Sequence, residues 1–256
     1  MLLAIDAGNT NIVFAVIDAD NIIAEWRMAT DAKRTADEYG IWLLQVMNYE
    51  KIDPTAIKAA IMSSVVPQVN FAIKNLVRKY FACEILAVGE GSLNLGIEAK
   101  IERPKEVGAD RLVNAAAAWQ KYGKPTIIVD FGTATTFDIV DDQGNYIGGV
   151  IAPGINLSLA ALHQAAAKLP NIAIERPSKV IGKDTLSAMQ SGIYFGYVGL
   201  IEGIVKGIKA EYGKDMLLIA TGGLAPLFAE ATDLIDAVEP NLTIDGLKLI
   251  FERNKK

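Results

Sequence analysis

Two short stretches of this 256-residue chain pair an aspartate with a glycine and a run of hydroxyl or amide side chains. The first is Asp6-Ala7-Gly8-Asn9-Thr10; the second is Asp130-Phe131-Gly132-Thr133-Ala134-Thr135-Thr136. A carboxylate at the end of a buried strand can hold Mg²⁺ through water. A glycine lets the backbone turn and approach a ligand. The following amides and a threonine hydroxyl can then point at phosphate oxygens. Each stretch also has a plainer reading, a hairpin with Asn and Gly in its turn or a strand rich in threonine. Two such hairpins gripping a polyphosphate from both sides are harder to explain plainly. The echo runs on at a constant offset of 124 positions: Val16 falls on Val140, Asp18 on Asp142 and Asn21 on Asn145. This is the mark of two copies of one domain, not of a solenoid.

Further candidates are weaker one by one. Gly108-Ala109-Asp110-Arg111 precedes an alanine-rich helical stretch. Asp110 there is either a favourable first-turn acid or a general base for a substrate hydroxyl, with Arg111 holding an anionic substrate or orienting the acid. Thr221-Gly222-Gly223 follows a strand, where glycines admit a nucleotide ring or simply turn the chain. Gly148-Gly149 and Pro153-Gly154 read as a strand end before a helix. His163 lies in a helical, alanine-rich stretch and reads as structural or surface. Cys83 reads as a small buried hydrophobe.

The elements that must position these residues follow from periodicity. Strands at 2–5, 12–17 and 22–28, joined by tight turns, form a β-meander. A helix over 36–49, a strand at 58–64, a helix over 68–81 and a strand at 84–88 complete a βββαβαβ half. The second half opens with a helix over 109–122. Strands at 126–130, 136–140 and 146–151 follow, with turns at 131–135 and 141–145. Helices are expected at 155–167 and 184–212, a strand at 216–220, and helices at 224–231 and 241–253. No Pro-, Ser- or charge-rich linker divides the halves, placed at 1–123 and 124–256, and the last helix is free to return to the first.

Bulk properties bound the function. Lys plus Arg number 25 against 30 Asp plus Glu, a net charge of −5. That disfavours nucleic acid held on a basic face. One cysteine excludes an internal disulfide and fits a reducing cytosol. Asp6 interrupts the N-terminal apolar run before a signal segment forms, and no stretch reaches the ~18–20 apolar residues of a membrane span. A cytoplasmic protein without a membrane partner is the expectation.

The motifs Asp6–Thr10, Gly108–Arg111, Asp130–Thr136, Gly148-Gly149 with Pro153-Gly154, Gly182-Lys183-Asp184-Thr185 and Thr221–Gly223 occur in this order. Together they resemble the type III pantothenate kinases over nearly the whole chain. The resemblance implies an α/β fold of duplicated actin/hexokinase-like (ribonuclease H-like) domains, with mixed sheets flanked by helices. It implies ATP-dependent phosphorylation of pantothenate to 4′-phosphopantothenate, the first step of coenzyme A synthesis. By motif, Asp6 is the acid linked to Mg²⁺ through water, and Ala7, Gly8, Asn9, Thr10, Asn11, Ile12, Val13, Thr133, Gly222 and Gly223 serve ATP. Asp110 is the general base. Ile101, Gly108, Ala109, Asp110, Arg111 and Thr185 line the pantothenate pocket. Asp130 binds a monovalent cation, K⁺ or NH₄⁺. The family forms homodimers, in which Thr185 is a candidate for the partner subunit's site. Two positions depart from the pattern: Ile101 replaces a common tyrosine, and a common threonine is replaced within Ala165-Ala166-Ala167. Both concern acceptor contacts. The competing readings are a superfamily kinase for a sugar or short acid, and an accessory factor in transcription. The Gly108–Arg111 and Thr185 set favours pantothenate over the first. Retention of Asp6, Asp110 and Asp130 speaks against the second.

Overall fold

The computed structural model describes residues 1–165, 169–170 and 172–255. Ala166 and Ala167, the end of the expected helix and most of the substituted threonine site, lie outside the described residues. The chain divides into two units: residues 1–121 with those from 241 onward, and residues 122–240. Among the described residues no helix is long and apolar enough to cross a membrane.

The first unit holds strands β1 (Leu2–Ala7), β2 (Asn11–Asp18), β3 (Asn21–Ala29), β4 (Ala59–Ser64) and β5 (Ile85–Ala87). Their order across the sheet is β3-β2-β1-β4-β5. β1 to β3 form the antiparallel meander, and β4 and β5 add in parallel through helical crossovers. Helix α1 (Ala36–Tyr49) starts on a reciprocal cap between Thr35 and Glu38, which satisfies two orphan amides. Helix α2 (Pro67–Phe81) starts on a proline that needs no donor there. Tyr39, Leu43 and Met47 of α1 and Ile73 and Leu76 of α2 pack with Phe14 on one face of the sheet. Helix α3 (Ala109–Tyr122) buries Val113 and Ala116 on the other face, against Ala4 and Ile61.

The second unit repeats this plan. Strands β6 (Thr126–Phe131), β7 (Ala134–Val140) and β8 (Tyr146–Pro153) form a meander, with β9 (Leu217–Gly222) and β10 (Ala237–Val238) added in parallel. The order, β8-β7-β6-β9-β10, matches the first sheet strand for strand. The irregularity between Val16 and Ile17 of β2 has its counterpart between Ile139 and Val140 of β7. Helices α4 (Ile155–Ala165), α5 (Thr185–Tyr212) and α6 (Ala225–Ala229) complete the unit. Tyr194, Tyr197 and Ile201 of α5 and Phe228 of α6 pack on Val129, Phe137 and Leu218. Helix α7 (Leu242–Asn254) belongs to the first unit, where Leu247 and Ile250 join Val113. The duplicated α/β architecture with mixed sheets is therefore present as the motifs led one to expect.

Two boundaries differ from the sequence reading in a way that matters for the site. β1 runs past 5 to Ala7, because Asp6 pairs in register with Val13 on one side and Ser63 on the other. The expected turn at 131–135 shrinks to Gly132 and Thr133, because Phe131 pairs with Thr135. β10 was not anticipated; two residues carry no periodicity.

Candidate active site

The first hairpin closes tightly after Asp6. The Gly8 amide donates to the Asn11 carbonyl at 3.0 Å. A Cβ on Gly8 would sit 3.2 Å from that same oxygen. Thr30 holds the turn from behind: its hydroxyl donates to the Gly8 carbonyl at 2.6 Å and its amide to the Thr10 carbonyl at 2.9 Å. Asn9, Thr10 and Asn11 are left exposed, while Ala7 and Ile12 are fully buried. Ile12 belongs to the core, so only its backbone can face a ligand. Val13 is partly buried.

Asp6 itself is partly buried, and Ser63 of β4 donates its hydroxyl to Asp6 Oδ1. Burial pushes the Asp6 carboxyl up to about 6, the Ser63 hydrogen bond opposes this, and the negative charge of Asp110 adds to the rise. Asp110 is thus close enough to be felt by Asp6. The structural path is short. The Val65 amide donates to the Ala7 carbonyl at 3.1 Å. A Cβ on Gly108 would meet Val65 Cγ1 at 3.3 Å and Asp110 Oδ1 at 2.6 Å. Gly108 is the residue that leaves the Asp110 carboxylate its place. That carboxylate sits in the first turn of α3 and accepts the Arg111 amide at 2.8 Å. Burial holds the Asp110 carboxyl above its usual value, against the lowering effect of that amide and of the Arg111 charge. Ala109 is buried, and Ile101 and Arg111 are partly buried.

Among the described residues, no three or more His, Cys, Asp and Glu side chains form a group that could cage a metal. Mg²⁺ bound with a nucleotide needs no cage, since it takes one or two carboxylates and completes its shell with phosphate oxygens and water. Asp6, partly buried near the end of its strand, fits that donor set as the single carboxylate. Burial disfavours the charged form of Asp6, an effect that a neighbouring cation would offset.

In the second hairpin the Gly132 amide donates to the Ala134 carbonyl at 3.1 Å, and Gly132 and Thr133 are exposed. The expected array of outward hydroxyls is only partly there. Thr135 is buried and bonds the Tyr197 hydroxyl, which donates in turn to the Pro153 carbonyl at 3.0 Å. The Thr136 hydroxyl donates to Asp138, a buried carboxylate that also accepts from Tyr146. Asp130 faces the end of β9, where Gly222 has φ +88°. A Cβ on Gly222 would lie 2.7 Å from both Asp130 Oδ1 and the Phe131 carbonyl oxygen. Only a glycine fits there, directly beside the Asp130 carboxylate. Gly223 is exposed beside it.

The remaining sequence candidates separate. Thr185 is exposed at the first position of α5, after the Asp184–Ser187 cap. It lines an open groove of about 570 Å³ with Leu162, Met189 and Ile193. Gly148 and Gly149 lie inside β8, opposite Ile139 and Asp138. Gly154 has a packing role, since a Cβ there would lie 2.2 Å from the Thr133 carbonyl oxygen. His163 is exposed on α4, with Nδ1 2.7 Å from the Leu169 carbonyl oxygen. Cys83 is only partly buried, and burial raises its thiol. Sequence reasoning missed Ser63, Thr30 and Tyr197. For Ser63 a signal existed, a hydroxyl at the end of the apolar run 58–64; for the other two there was none.

The family model described as type III pantothenate kinase matches residues 2–207. The type III pantothenate kinase of Paramagnetospirillum magneticum is 61% identical over 254 residues, covering 99% of this chain and 98% of that protein. That of Rhodospirillum rubrum is 60% identical over 255 residues, covering 100% and 99%. Among solved structures, a Campylobacter jejuni protein assigned to the Baf family of transcriptional activators superposes with a TM-score of 0.62 at 18% identity, covering 98% of each chain. A Sinorhizobium meliloti protein assigned as a 2-dehydro-3-deoxygalactonokinase gives 0.59 at 13% identity, covering 98% of this chain and 95% of that one. Spiroplasma citri MreB 5 gives 0.53 at 11%, covering 98% and 95%. At these identities the solved structures establish the fold alone.

Proposed function

Because the chain belongs to the type III pantothenate kinase family, we infer that it transfers the γ-phosphoryl group of ATP to the hydroxyl of pantothenate, giving 4′-phosphopantothenate for coenzyme A synthesis. A kinase of this family uses ATP with a divalent metal. We take that metal to be Mg²⁺, and we take K⁺ or NH₄⁺ as a second requirement. The two units are the two lobes of the duplicated fold, and the working enzyme is a cytoplasmic homodimer.

One observation carries the site: Asp6 near the end of β1 and Asp110 in the first turn of α3, 104 positions apart in sequence, are brought together through Val65, which bonds Ala7 and abuts Gly108, and the Asp110 charge bears on Asp6. Phosphoryl transfer asks a protein mainly for positioning and charge neutralisation. Asp110 is the general base, accepting the proton of the attacking hydroxyl, and its raised affinity for a proton brings it nearer to working pH. Arg111, with Gly108, Ala109, Ile101 and Thr185, receives the acceptor, whose carboxylate suits a guanidinium. The exposed turn from Gly8 to Asn11, with Ala7, Ile12 and Val13 behind it, receives phosphate through backbone amides. Thr133, Gly222 and Gly223 serve the nucleotide, and Asp130 holds the monovalent cation. Mg²⁺, held by Asp6 through water, would neutralise the phosphate oxygens. The test is phosphate transfer from ATP to pantothenate with Mg²⁺, in K⁺ and in Na⁺ buffer. Turnover in K⁺ and little in Na⁺ is expected. No turnover in either, with folded protein, overturns the acceptor assignment.

A further inference from the structure

We propose that Ser63 is a positioning residue of the phosphate-transfer site, holding the Asp6 carboxylate by one oxygen so that the other is left to the hydrated Mg²⁺ of the nucleotide. The proposal rests on the reading of Asp6 given above.

Three observations lead to it. Ser63 is fully buried on β4, after Ala60, Ile61 and Met62, which are likewise buried. A hydroxyl at such a position is costly unless it is hydrogen-bonded. Its partner is the side chain of Asp6, in direct parallel register across β1 and β4. Only Oδ1 is engaged; Oδ2 has no hydrogen-bond partner among the described residues. The adjacent Ser64 behaves differently, bonding Val66 locally, so the stretch is not merely a serine turn.

The second sheet repeats the register. Thr221 of β9 stands in parallel register with Asp130 of β6 and is buried. Ser63 and Thr221 are 158 positions apart, not 124. A hydroxyl-bearing residue thus stands opposite the aspartate in both sheets, although the chain register between the halves has been lost. A carboxylate on a short side chain has two torsions free unless something binds it. Partners that orient a ligand in this way are typically worth about 10–100-fold in metal affinity.

The test compares Ser63→Ala, Ser63→Val and Ser63→Thr with wild type. ATP binding is measured by calorimetry in EDTA and again with Mg²⁺ or Mn²⁺, in the full chain. Val and Thr have the same shape and differ by the hydroxyl, so that pair decides even if Ala disturbs the fold. Expected is a loss of about tenfold or more in the metal-dependent gain in ATP affinity for Ala and Val. Binding in EDTA should be unchanged, and Thr should keep the gain. In turnover, Ala and Val should need more Mg²⁺ at an unchanged KM for pantothenate. Retention of the metal-dependent gain in Val, or equal weakening with and without metal, overturns the proposal. A wild type with a metal-dependent gain but no transfer to pantothenate would sink the acceptor assignment and leave Ser63 in place. A wild type with no such gain would overturn both.

Discussion

At the scale of single residues, the two acids of the first unit differ in what their removal should do. Asp110→Asn removes a proton acceptor but keeps the shape and the helix-start hydrogen bond of α3. It should lower kcat by about a hundredfold or more with an unchanged urea midpoint; wild-type rates would remove the base assignment. Asp6 carries a stability cost. Its carboxyl titrates near 6 in the fold against an ordinary 3.8, so the folded chain holds this proton more tightly than the unfolded one. The contribution is fully favourable below about 4, is lost as pH rises through 6, and is flat above. Asp6→Asn should therefore unfold at higher urea than wild type at pH 8, by no more than about 3 kcal/mol, and match it at pH 4. The same variant should lose activity, which is how a site acid trades stability for function. If Asp6→Asn is no more stable at pH 8, burial is not what raises this group. Asp130→Ala is read differently, by cation response. Its rate in K⁺ should fall to its rate in Na⁺, and a surviving K⁺ stimulation would place the ion elsewhere.

At the scale of elements, the hairpins work because their neighbours leave room. Gly154, at the start of α4, fits under the second hairpin only without a side chain, since a Cβ would overlap the Thr133 carbonyl at 2.2 Å and crowd that of Gly132 at 2.8 Å. Gly154→Ala should push the hairpin outward and cost about 1–3 kcal/mol. It should also lower kcat/KM for ATP by about tenfold or more, while KM for pantothenate stays; wild-type ATP kinetics would mean the turn at Thr133 does not touch the nucleotide. The same pair shows what could be read beforehand. The Asp–Gly motifs, their 124-residue echo and the strand–turn–strand plan are local, and local pattern announced them. The end of β1 at Ala7 was not legible, because strand ends are set by partners far along the chain, here Ser63 and Val13. Tyr197 reaching Thr135 and Pro153 from the middle of α5 was equally hidden, since an apolar-looking tyrosine in a helix reads as core. Ser63 was visible as a residue, yet its meaning depends on which strand lies beside β1, and that is topology.

At the scale of the whole molecule, the open question for the mechanism is whether one chain makes a complete site. Thr185 is exposed at the head of α5 and lines its groove with Leu162. Leu157 and Leu186, on the same two helices, are 53% and 48% exposed in the single chain. Apolar surface of this kind commonly lies at contacts between protein chains. A homodimer that covers it brings Thr185 to its partner, and this has a genetic signature. Thr185→Ala should raise KM for pantothenate, and Asp110→Asn should abolish turnover. When the two variants are co-expressed, a mixed dimer has one site with both defects and one with neither, provided Thr185 acts across the interface. Random pairing then returns about a quarter of the wild-type rate at low pantothenate, as follows from the two-fold symmetry of such a dimer. If Thr185 serves its own chain, every site in the mixture carries one defect and nothing is recovered beyond the residual rate of the Thr185→Ala sites. Size-exclusion chromatography with light scattering on the same mixture completes the test. A monomer with full activity would confine the site to one chain and leave the apolar face of α4 and α5 to some other purpose.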